Sequence, residues 1–486
     1  MLQQQRKESN MSDYKELEKL LVKRYDNAWR RLEGNEKEIV MDFSESYKKY
    51  LDTCKTEREA SLYSAKIAEE KGFKSIDYYI KNHKRPEPGD KIYGLFKDKT
   101  VILFVIGKEN FEKGLNIIGA HVDTPRLDLK QAPLYEDTEL AFFKTHYYGG
   151  VKKYQWITIP LALHGVIIKQ DGTKITVNIG EDEKDPVFYI TDLLPHLSKD
   201  QNAKKISEAI TGEQLNILVG SIPMDDEDIK DSVKLNILKL LNEKYDIKEE
   251  DLASSELEIV PAAKARDIGF DRGLVGAYGH DDRVCAFTAL EALLDIDAPK
   301  RTCVTILADK EEIGSVGNTG MTSNYFENLV SELIHLSGVG KADLVLRRCL
   351  MNSKFLSADV NAAFDPNYPT THDKLNAAYI GKGIVLTKYT GSRGKSGSND
   401  ASAEFVAEVR RIFNENDICW QMGELGKVDE GGGGTIAYIP AKYGMDVIDV
   451  GVALLSMHAP YEIASKADIY MAYKAYKAFF YSNYEY

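Results

Sequence analysis

Histidine and carboxylate residues follow five predicted β-strands, at the points where those strands end. The strand segments are NIIGA, AYGH, VTILADK, FLSA and VGVALLSM, and the residues that follow them are His121 with Asp123, Asp281 with Asp282, Glu311 with Glu312, Asp359, and His458. Open α/β sheets bind their ligands in the crevice beyond the carboxyl ends of the strands. The placement therefore predicts that these side chains meet in one crevice.

Taken one at a time, these residues have ordinary structural explanations. A single histidine at a strand end, such as His121, is more often a hydrogen-bonded structural residue than a metal ligand. Asp281, which precedes an apolar helical run, fits a helix N-cap that interacts with the helix dipole. The neighbours Glu311 and Glu312 can form a solvated charge pair. The five placements together favour a metal site over these separate explanations.

The mixture of imidazole and carboxylate ligands suits divalent ions such as Zn²⁺, Mn²⁺ or Co²⁺. The five cysteines stand far apart without a CxxC pair, so the sequence indicates neither a thiolate zinc site nor a disulfide framework. A carboxylate that bridges two ions about 3.5–4 Å apart lets the pair activate water and polarise a carbonyl. Of Glu311 and Glu312, one can then bind metal while its neighbour acts as the general base.

Strands and helices alternate in the parts of the chain that carry these residues. The runs VILFVIG, RTCVTILAD and MDVIDVGVAL are typical of strands, whereas SNYFENLVSELIHL and SKADIYMAYKAYKAFFYS have helical periodicity. This alternation predicts an α/β fold with a mostly parallel central sheet that helices cover on both faces. From Asp13 to about Phe73, the spacing of Leu17, Leu20 and Leu21 predicts an α-helical lead-in.

The segment from about Pro133 to Leu257 has a different pattern, with short alternating runs such as WITIPLALHGVIIK and KITVNIG. We predict that residues 131–259 form a β-rich domain, inserted into a domain that is split between residues 1–130 and 260–486. The alternative is an elaborate loop system on one large domain. A structureless loop of this length would be very unusual, so the insertion is favoured.

The composition is that of a folded, acidic protein. Of the 486 residues, 43% are hydrophobic, and 76 acidic against 63 basic residues give a net charge of −13, which disfavours nucleic acid and anionic lipid as partners. The apolar stretches are shorter than the about 20 residues of a membrane span, and the first segment lacks an apolar signal region. We therefore expect a cytoplasmic protein, with Met11 as an alternative start to Met1.

The order of the motifs HVD, DDRV, EEIGS, SADVNAAFDP and SMHAPYEIAS resembles that of the dinuclear zinc aminopeptidases. The resemblance is most specific to the aspartyl aminopeptidase and vacuolar aminopeptidase I family, and GAHVDTPRLDLK, GKGIVL, GKSGSNDASAEF and GGGGTIAYI strengthen it. It extends from about Asn116 to the C-terminus and is weakest in the predicted insertion. It implies a three-layer α/β sandwich, two divalent ions per subunit, and a metalloaminopeptidase that removes N-terminal residues from peptides.

The resemblance also implies a role for each matching residue. His121 would bind one ion, and Asp123 would orient its imidazole. The other implied metal ligands are Asp281, Glu312, Asp359 and His458. Asp281 would bridge the two ions, and Glu311 would be the general base. The reverse order, with Glu311 as the ligand and Glu312 as the base, is chemically possible, and the family pattern favours the first assignment.

Two further residues match family positions. His196, in DLLPHL, would either bind zinc or reach an active site from a neighbouring subunit to stabilise an oxyanion. Its alternative is a structural histidine of a β domain. Lys382, in GKG, would contact an acidic side chain of the substrate, since many family members prefer Asp or Glu and a buried carboxylate needs a cationic partner. Its alternative is a surface lysine.

Relatives form large closed assemblies, so the resemblance also implies a homo-oligomer, a dodecamer built from dimers, with the inserted domain used for assembly. Two other functions remain open: a related metallohydrolase, such as a carboxypeptidase or deacylase, and a non-catalytic assembly protein on the same fold. The glycine run EGGGGTIAY lacks the ending of a P-loop, and the sequence has no GxSxG elbow. We expect this run to pass close to the metal crevice instead.

Overall fold

The computed structural model describes residues 14–483, so Asp13 and the alternative start at Met11 lie outside the described residues. The strands are β1 (Lys74–Ser75), β2 (Lys91–Phe96), β3 (Thr100–Val105), β4 (Asn116–His121), β5 (Arg126–Asp137), β6 (Leu140–Tyr148), β7 (Leu161–Ile168), β8 (Lys174–Ile179), β9 (Ile217–Gly220), β10 (Ser255–Pro261), β11 (Arg266–Ile268), β12 (Leu274–Ala277), β13 (Cys303–Ala308), β14 (Lys354–Ser357), β15 (Asn361–Ala362), β16 (Ile384–Thr387), β17 (Trp420–Met422), β18 (Asp446–Gly451), β19 (Ala453–Leu455) and β20 (Glu462–Ser465).

The helices are α1 (residues 14–21), α2 (Ala28–Arg31), α3 (Glu36–Thr53), α4 (Glu57–Glu70), α5 (Ile76–Lys81), α6 (Lys199–Asn202), α7 (Ile206–Ala209), α8 (Ser232–Tyr245), α9 (His280–Leu294), α10 (Tyr325–Leu336), α11 (Ala342–Met351), α12 (Ala403–Glu415), α13 (Tyr438–Ala441) and α14 (Lys466–Tyr481). Among residues 14–483, no helix combines the length and the apolar character needed to cross a bilayer.

A nine-stranded sheet forms the centre of the fold, in the order β1-β2-β3-β13-β4-β14-β18-β16-β17. Its middle strands β13, β4, β14 and β18 are parallel, whereas β3 and β16 run antiparallel to their inner neighbours. Along β3, Val101 and Leu103 pack with α9 and α14 on one face, while Ile102 and Phe104 pack with α10 and α11 on the other. The predicted α/β fold is confirmed, with helices on both faces of a mixed sheet.

A six-stranded antiparallel sheet, β8-β7-β10-β5-β6-β9, has a hydrophobic core of its own. Its strands extend from Arg126 to Pro261, so the predicted boundaries at 131 and 259 fall inside β5 and β10. Helix α8 packs against this sheet near Gly220, and the short helices α6 and α7 lie between β8 and β9 in the chain. The predicted strand-rich pattern is present, and these helices accompany it.

A five-stranded sheet has the order β11-β12-β20-β19-β15. Two of its strands, β11 and β12, precede α9 in the chain, and the other three lie between α9 and α14. The predicted single strand MDVIDVGVAL divides here, because β18 ends at Gly451 in the central sheet and β19 begins at Ala453 in this one. The approach of the Asp359 carbonyl oxygen, 1.8 Å from where a Cβ of Gly451 would lie, requires glycine at that point. The change of sheet directs the chain toward His458.

The N-terminal lead-in, predicted to be helical from Asp13 to about Phe73, is helical in the structure. It is divided into α1 to α4, and the short strand β1 follows it. The leucines that suggested a buried face of α1 are exposed, with Leu17 at 47%, Leu20 at 80% and Leu21 at 70%. Burial of this region begins with Ala28 and Leu32. The helical spacing was therefore a correct indicator of secondary structure and a wrong indicator of burial for α1.

Candidate metal centre

The parallel register of the central sheet brings the predicted ligands to one edge. Ala308 of β13 pairs with His121 of β4, and Gly119 of β4 pairs with Ser357 of β14. The chain segments that leave these strands carry Glu311, Glu312 and Asp359 to the same end of the sheet. Asp281, Glu311, Glu312, Asp359 and His458 line a single cavity of about 860 Å³. Five of the predicted side chains therefore line one cavity, and His121 contacts one of them, Asp281.

Asp281 lies between the two histidines of the cluster. Its Oδ1 is 3.2 Å from His121 Nε2, and its Oδ2 is 3.1 Å from His458 Nε2. Each carboxylate oxygen thus faces a different imidazole. This is the arrangement that a carboxylate needs in order to bridge two metal ions.

The start of α9 explains how Asp281 reaches this position. The residue before the helix, Gly279, adopts φ +79° and serves as the N-cap, and a Cβ there would lie 2.0 Å from the Arg283 guanidinium. Asp281 and Asp282 have non-helical backbone angles inside the first turn. No side chain caps this helix end, so the N-cap explanation for Asp281 does not describe the structure.

Two groups of three ligand atoms meet in the cluster, each with all atoms within 4.8 Å of one another: His121, Asp281 and Asp359, and Asp281, Glu312 and His458. The groups share Asp281. A third group consists of His121, Glu311 and Glu312 within the same distance. These distances alone therefore do not show which glutamate is the metal ligand and which is the general base. Glu312 Oε1 is buried, 3.6 Å from His458 Nε2, and has no hydrogen-bond partner among the described residues, as expected of a metal ligand.

Both histidines are oriented through their Nδ1 atoms. His121 Nδ1 is 3.0 Å from the Asp123 carbonyl oxygen and 3.3 Å from its carboxylate, while His458 Nδ1 is 2.9 Å from the Gly150 carbonyl oxygen. A hydrogen bond at Nδ1 leaves Nε2 as the atom available to a metal. A Cβ on Gly150 would lie 2.9 Å from His458 Nδ1, so the close approach of the imidazole to this backbone favours glycine.

Asp123 does more than orient His121. Its carboxylate accepts hydrogen bonds from the backbone N–H groups of Glu311, at 3.0 Å, and Glu312, at 3.1 Å. The Tyr148 hydroxyl, at the end of β6, donates to the same carboxylate at 2.8 Å. Tyr148 was not predicted from the sequence, because a tyrosine 25 residues away in another sheet carries no local signal. Asp123 therefore positions a histidine and both glutamates together.

Glu462 is a second positioning residue that the sequence analysis missed. Its buried carboxylate accepts hydrogen bonds from the backbone N–H groups of Asp281, at 3.1 Å, and His458, at 2.6 Å. The available signal was its place in the motif SMHAPYE, four residues after His458. Burial, followed by the charge of Asp281, raises the pKa of Glu462 to about 8.

This chain matches a known protein family over most of its length. Residues 50–480 match the family model described as aminopeptidase I zinc metalloprotease (M18). The chain belongs to the M18 family. It is 56% identical over 459 residues to the probable M18 family aminopeptidase 1 of Clostridium acetobutylicum, an alignment that covers 94% of this chain and 98% of the relative. It is 46% identical over 456 residues to the probable M18 family aminopeptidase 1 of Thermotoga maritima, covering 93% and 98%.

Solved M18 structures have the same fold. The crystal structure of the Thermotoga maritima M18 aminopeptidase gives a TM-score of 0.90 at 46% identity, covering 94% of this chain and 99% of that one. Aminopeptidase I from Clostridium acetobutylicum gives 0.87 at 52% identity, covering 95% and 100%. The yeast mApe1 dodecamer gives 0.73 at 23% identity, covering 92% and 97%, and shows the shared fold alone. The protein is an M18 aminopeptidase, and the predicted family and enzyme class are confirmed.

Carboxylates outnumber cations in this M18 site. Burial, with the charges of Asp123 and Asp281, raises the pKa of Glu311 to about 7, and burial also raises the pKa of Glu312 and Asp359 well above the usual carboxyl range. Burial disfavours the imidazolium of His458, yet its hydrogen bond to Asp281 raises the pKa to about 10. Divalent cations would relieve this repulsion and displace the imidazolium protons. The donor set fits the zinc expected of the family.

The structure does not bring His196 and Lys382 into the cavity. His196 is exposed in the segment that follows β8 and is not among the residues that line the cavity. The Lys382 ammonium donates instead to the Tyr25 carbonyl oxygen at 2.7 Å. Within a single chain, His196 therefore has no contact with the metal ligands, and Lys382 has a structural contact in place of the predicted substrate contact. Gly432, Gly433 and Gly434 do line the cavity, as expected for the glycine run.

Proposed function

We propose that this M18 aminopeptidase removes the N-terminal residue of peptides with two divalent ions, bridged by Asp281. One position would be held by His121 and Asp359, and the other by Glu312 and His458, each with Asp281 as the shared ligand. The observation that carries this proposal is the position of Asp281, whose two carboxylate oxygens face different histidines at 3.2 and 3.1 Å. Zinc is the metal that the family description supports, and Mn²⁺ and Co²⁺ suit the same ligands.

The residues of the chain divide the remaining chemistry. Two ions in these positions would supply Lewis acidity, which polarises the scissile carbonyl and acidifies the attacking water. Glu311 would take the proton of that water and pass it to the leaving amine. Its backbone N–H is held by Asp123, which places the carboxylate at the rim of the ligand cluster, 3.9 Å from His121 Nε2. Glu312, more deeply buried, would remain a ligand.

We propose that the protein is a homo-oligomer, a dodecamer built from dimers. The solved yeast relative described as a dodecamer shares the fold. The exposed segment around His196 supports self-association, since Leu193, Leu194 and Leu197 expose half or more of their surface there. His196 would then reach the active site of a neighbouring subunit and stabilise the oxyanion. A monomer in native mass spectrometry, or full activity of His196→Ala, would contradict this assembly role.

The division into domains is also a proposal. The six-stranded sheet with its own core supports an inserted domain, with its ends moved from residues 131 and 259 to Arg126 and Pro261. The helices on both faces of the nine-stranded sheet support a three-layer sandwich for the split domain. A cytoplasmic location stays a prediction from the sequence.

A preference for acidic N-termini stays a prediction, but the position of Lys382 does not support it. Lys382 lies outside the cavity, and the lysine that lines the cavity, Lys152, is exposed. A panel of aminoacyl coumarin amides with Asp, Glu, Leu and Lys, run with Zn²⁺, Mn²⁺ and Co²⁺, measures both the metal and the side-chain preference. A matched set of N-acetylated substrates is the control. Hydrolysis of the acetylated set alone would indicate a deacylase or related hydrolase and overturn the proposal.

A further inference from the structure

The turn that carries the two adjacent glutamates of the metal centre needs support from its surroundings. The 3₁₀ turn Glu311–Ile313 lies between Lys310 and Gly314, which adopt φ +72° and +93°. A left-handed conformation is unfavourable for a residue with a side chain, so the surrounding structure must hold Lys310 in it. Within residues 14–483, no side chain caps the start of the turn. The Asp123 carboxylate, which accepts from the N–H groups of both glutamates, therefore ties the turn to the buried part of the site.

The two oxygens of Asp123 have different donors. Oδ1 accepts from the Glu311 N–H at 3.0 Å and lies 3.3 Å from His121 Nδ1. Oδ2 accepts from the Glu312 N–H at 3.1 Å and from the Tyr148 hydroxyl at 2.8 Å. Asp123 is fully buried, so solvent does not supply further donors to it. Without the hydroxyl, Oδ2 would keep a single donor, and the carboxylate would be less constrained in its rotation.

Arg126 fixes the ring of Tyr148. The two residues are direct partners in the register of β5 and β6, and the guanidinium carbon lies 3.9 Å from the centroid of the Tyr148 ring. A guanidinium is attracted to the face of an aromatic ring, and opposite residues of antiparallel strands stabilise each other. Arg126 is only 6% exposed, so solvent weakens this contact little. The stacking restricts the rotation of the ring and thereby directs its hydroxyl toward Asp123.

Arg126 is in turn held by three carboxylates. Its Nε is 2.8 Å from Asp128 Oδ1 and 3.3 Å from Glu258 Oε2, and one of its terminal nitrogens is 3.3 Å from Glu57 Oε2. A planar guanidinium with five N–H donors can bind these groups at its edge while its face stays against the ring, which an ammonium cannot do. Glu57 belongs to α4, whereas Asp128 and Glu258 belong to the six-stranded sheet. The contacts therefore connect the boundary between the two proposed domains with the turn of the metal centre.

We propose, building on the proposed aminopeptidase function, that Tyr148 and Arg126 are positioning residues for the general base Glu311. Tyr148 fixes the carboxylate of Asp123, and Arg126 fixes the ring of Tyr148. The described residues that line the cavity of the metal centre include neither of them, so both act through Asp123 and not on the substrate. The six-stranded sheet thereby contributes to the geometry of the active site, in addition to the assembly role proposed for it.

Tyr148→Phe removes the hydroxyl and keeps the ring. In the metal-loaded enzyme, kcat for an aminoacyl coumarin amide should fall about 10-fold, the lower end for a lost hydrogen bond to a charged group. KM should stay nearly constant, because no contact with the substrate is removed. Metal content, measured by inductively coupled plasma mass spectrometry, should equal that of the wild type, because every proposed ligand remains. An unchanged kcat, or a loss of metal that accounts for the lower activity, overturns the proposal.

Amide hydrogen exchange measures the hold on the turn without any substrate. In Tyr148→Phe, the N–H groups of Glu311 and Glu312 should exchange about 10-fold faster than in the wild type, because their hydrogen bonds to Asp123 open more often. Exchange at the wild-type rate in this variant overturns the inference. Absence of hydrolysis of every aminoacyl amide by the wild type overturns the proposed function instead.

Tyr476→Phe is the matched control. Tyr476 of α14 is also buried, and its hydroxyl donates to the Val450 carbonyl oxygen at 2.7 Å, away from Asp123. This variant should leave kcat and the exchange of the two glutamate N–H groups unchanged. An equal change in both tyrosine variants would show a general effect of losing a buried hydroxyl and would contradict a specific role for Tyr148.

Arg126→Lys keeps the charge and loses the planar stacking. It should lower kcat by about 2- to 5-fold, the factor of a cation–π contact, and should also speed the exchange of the Glu311 N–H. In the Tyr148→Phe background it should lower kcat no further, because Arg126 acts through the hydroxyl that is already missing. Multiplication of the two losses would overturn this order of action. If Tyr148→Phe does not fold, the exchange in Arg126→Lys tests the same connection, and a wild-type rate there overturns it.

Discussion

The metal centre and a second cluster of ionisable side chains differ in the source of their positive charge. The metal centre gathers the carboxylates of Asp281, Glu311, Glu312 and Asp359 around two imidazoles. The second cluster, here called the junction cluster, connects the start of α4 with the six-stranded sheet. It consists of Lys55, Glu59, His164, Glu181 and Lys264.

The junction cluster is balanced by the chain's own cations. Glu181 accepts from Lys55 at 2.6 Å, from Lys264 at 2.6 Å and from His164 at 3.0 Å. These contacts, opposed by burial, lower the pKa of Glu181 to about 2. Lys55 also donates to the Pro261 carbonyl oxygen at 2.7 Å, at the end of β10. Every charge here has a partner, so the cluster holds two parts of the fold together.

The metal centre lacks that balance, and burial raises the pKa of three of its four carboxyl groups. We infer from this difference that an excess of buried carboxylates marks a binding site for cations that the chain itself does not supply. The four predictions below test whether the two clusters differ in this way.

The largest effect is expected from Glu311→Ala. Loss of the proposed general base should lower kcat by about 10²- to 10⁴-fold. The metal content should stay at the wild-type level, because Asp281, the proposed bridging ligand, and both histidines remain. Stopped assays of aminoacyl amide hydrolysis and inductively coupled plasma mass spectrometry measure the two quantities. Wild-type turnover in this variant would exclude Glu311 as the base.

Glu312→Ala should instead lose metal. Removal of a direct ligand should weaken metal binding by more than the roughly 10- to 100-fold that follows when only a ligand's hydrogen-bond partner is removed. Metal content after dialysis against a competing chelator measures this, with Glu311→Ala as the matched control. If Glu311→Ala loses metal and Glu312→Ala keeps it, the two roles are reversed.

In the junction cluster, Lys55→Met should lower the stability of the fold without changing metal binding or kcat. Removing one member of a buried ionic network leaves uncompensated charge, so the free energy of unfolding should fall by about 3–5 kcal/mol. Urea unfolding measures this change, and metal content and kcat of the folded variant should match the wild type. Lys239→Met is the control, since its partner Glu243 is an exposed residue one helical turn away. Loss of metal in Lys55→Met would show that the two clusters are not independent.

The smallest expected effect is on the pH dependence of folding stability. Burial opposes protonation of His164, but its hydrogen bonds to Glu181 and Glu59 raise its pKa in the folded state. The protonated form therefore stabilises the fold fully below the ordinary pKa of about 6.5, and this contribution disappears as the pH rises through the raised value. His164→Gln should be less stable than the wild type by about 1–2 kcal/mol near pH 6 and equally stable at high pH.

Urea unfolding of wild type and His164→Gln across this range provides the measurement. Lys55 and Lys264 face the same carboxylates in the wild type and in His164→Gln, so the comparison of the two proteins isolates the histidine. A stability difference that is constant with pH would exclude titration of His164 as its cause.

Much of the site was predictable because its chemistry is local in sequence. His121 with Asp123, and Glu311 with Glu312, stand directly after apolar runs that form buried strands. The parallel βα alternation then predicts that such strand ends meet. Asp281 could be predicted from a motif that precedes an apolar helix. These positions depend on strand order and polarity, which the pattern of the sequence records.

The parts that were missed depend on contacts between distant segments. Tyr148 and Gly150 reach the metal centre from the end of β6, and nothing near them in the sequence marks that contact. Lys382 is the opposite case. Its motif suggested a contact with the substrate, but in the structure its ammonium donates to the Tyr25 carbonyl oxygen.

The sequence by itself determined the α/β alternation, the ligand types and their places at strand ends, since hydrophobic periodicity and residue chemistry act over a few neighbouring positions. The tertiary structure decided which imidazole faces which oxygen of Asp281, which backbone groups hold the ligands, and which buried charges remain without partners. Those features depend on register and on the packing of segments far apart in the chain. A difference of one residue in register would move every side chain of a strand to its other face.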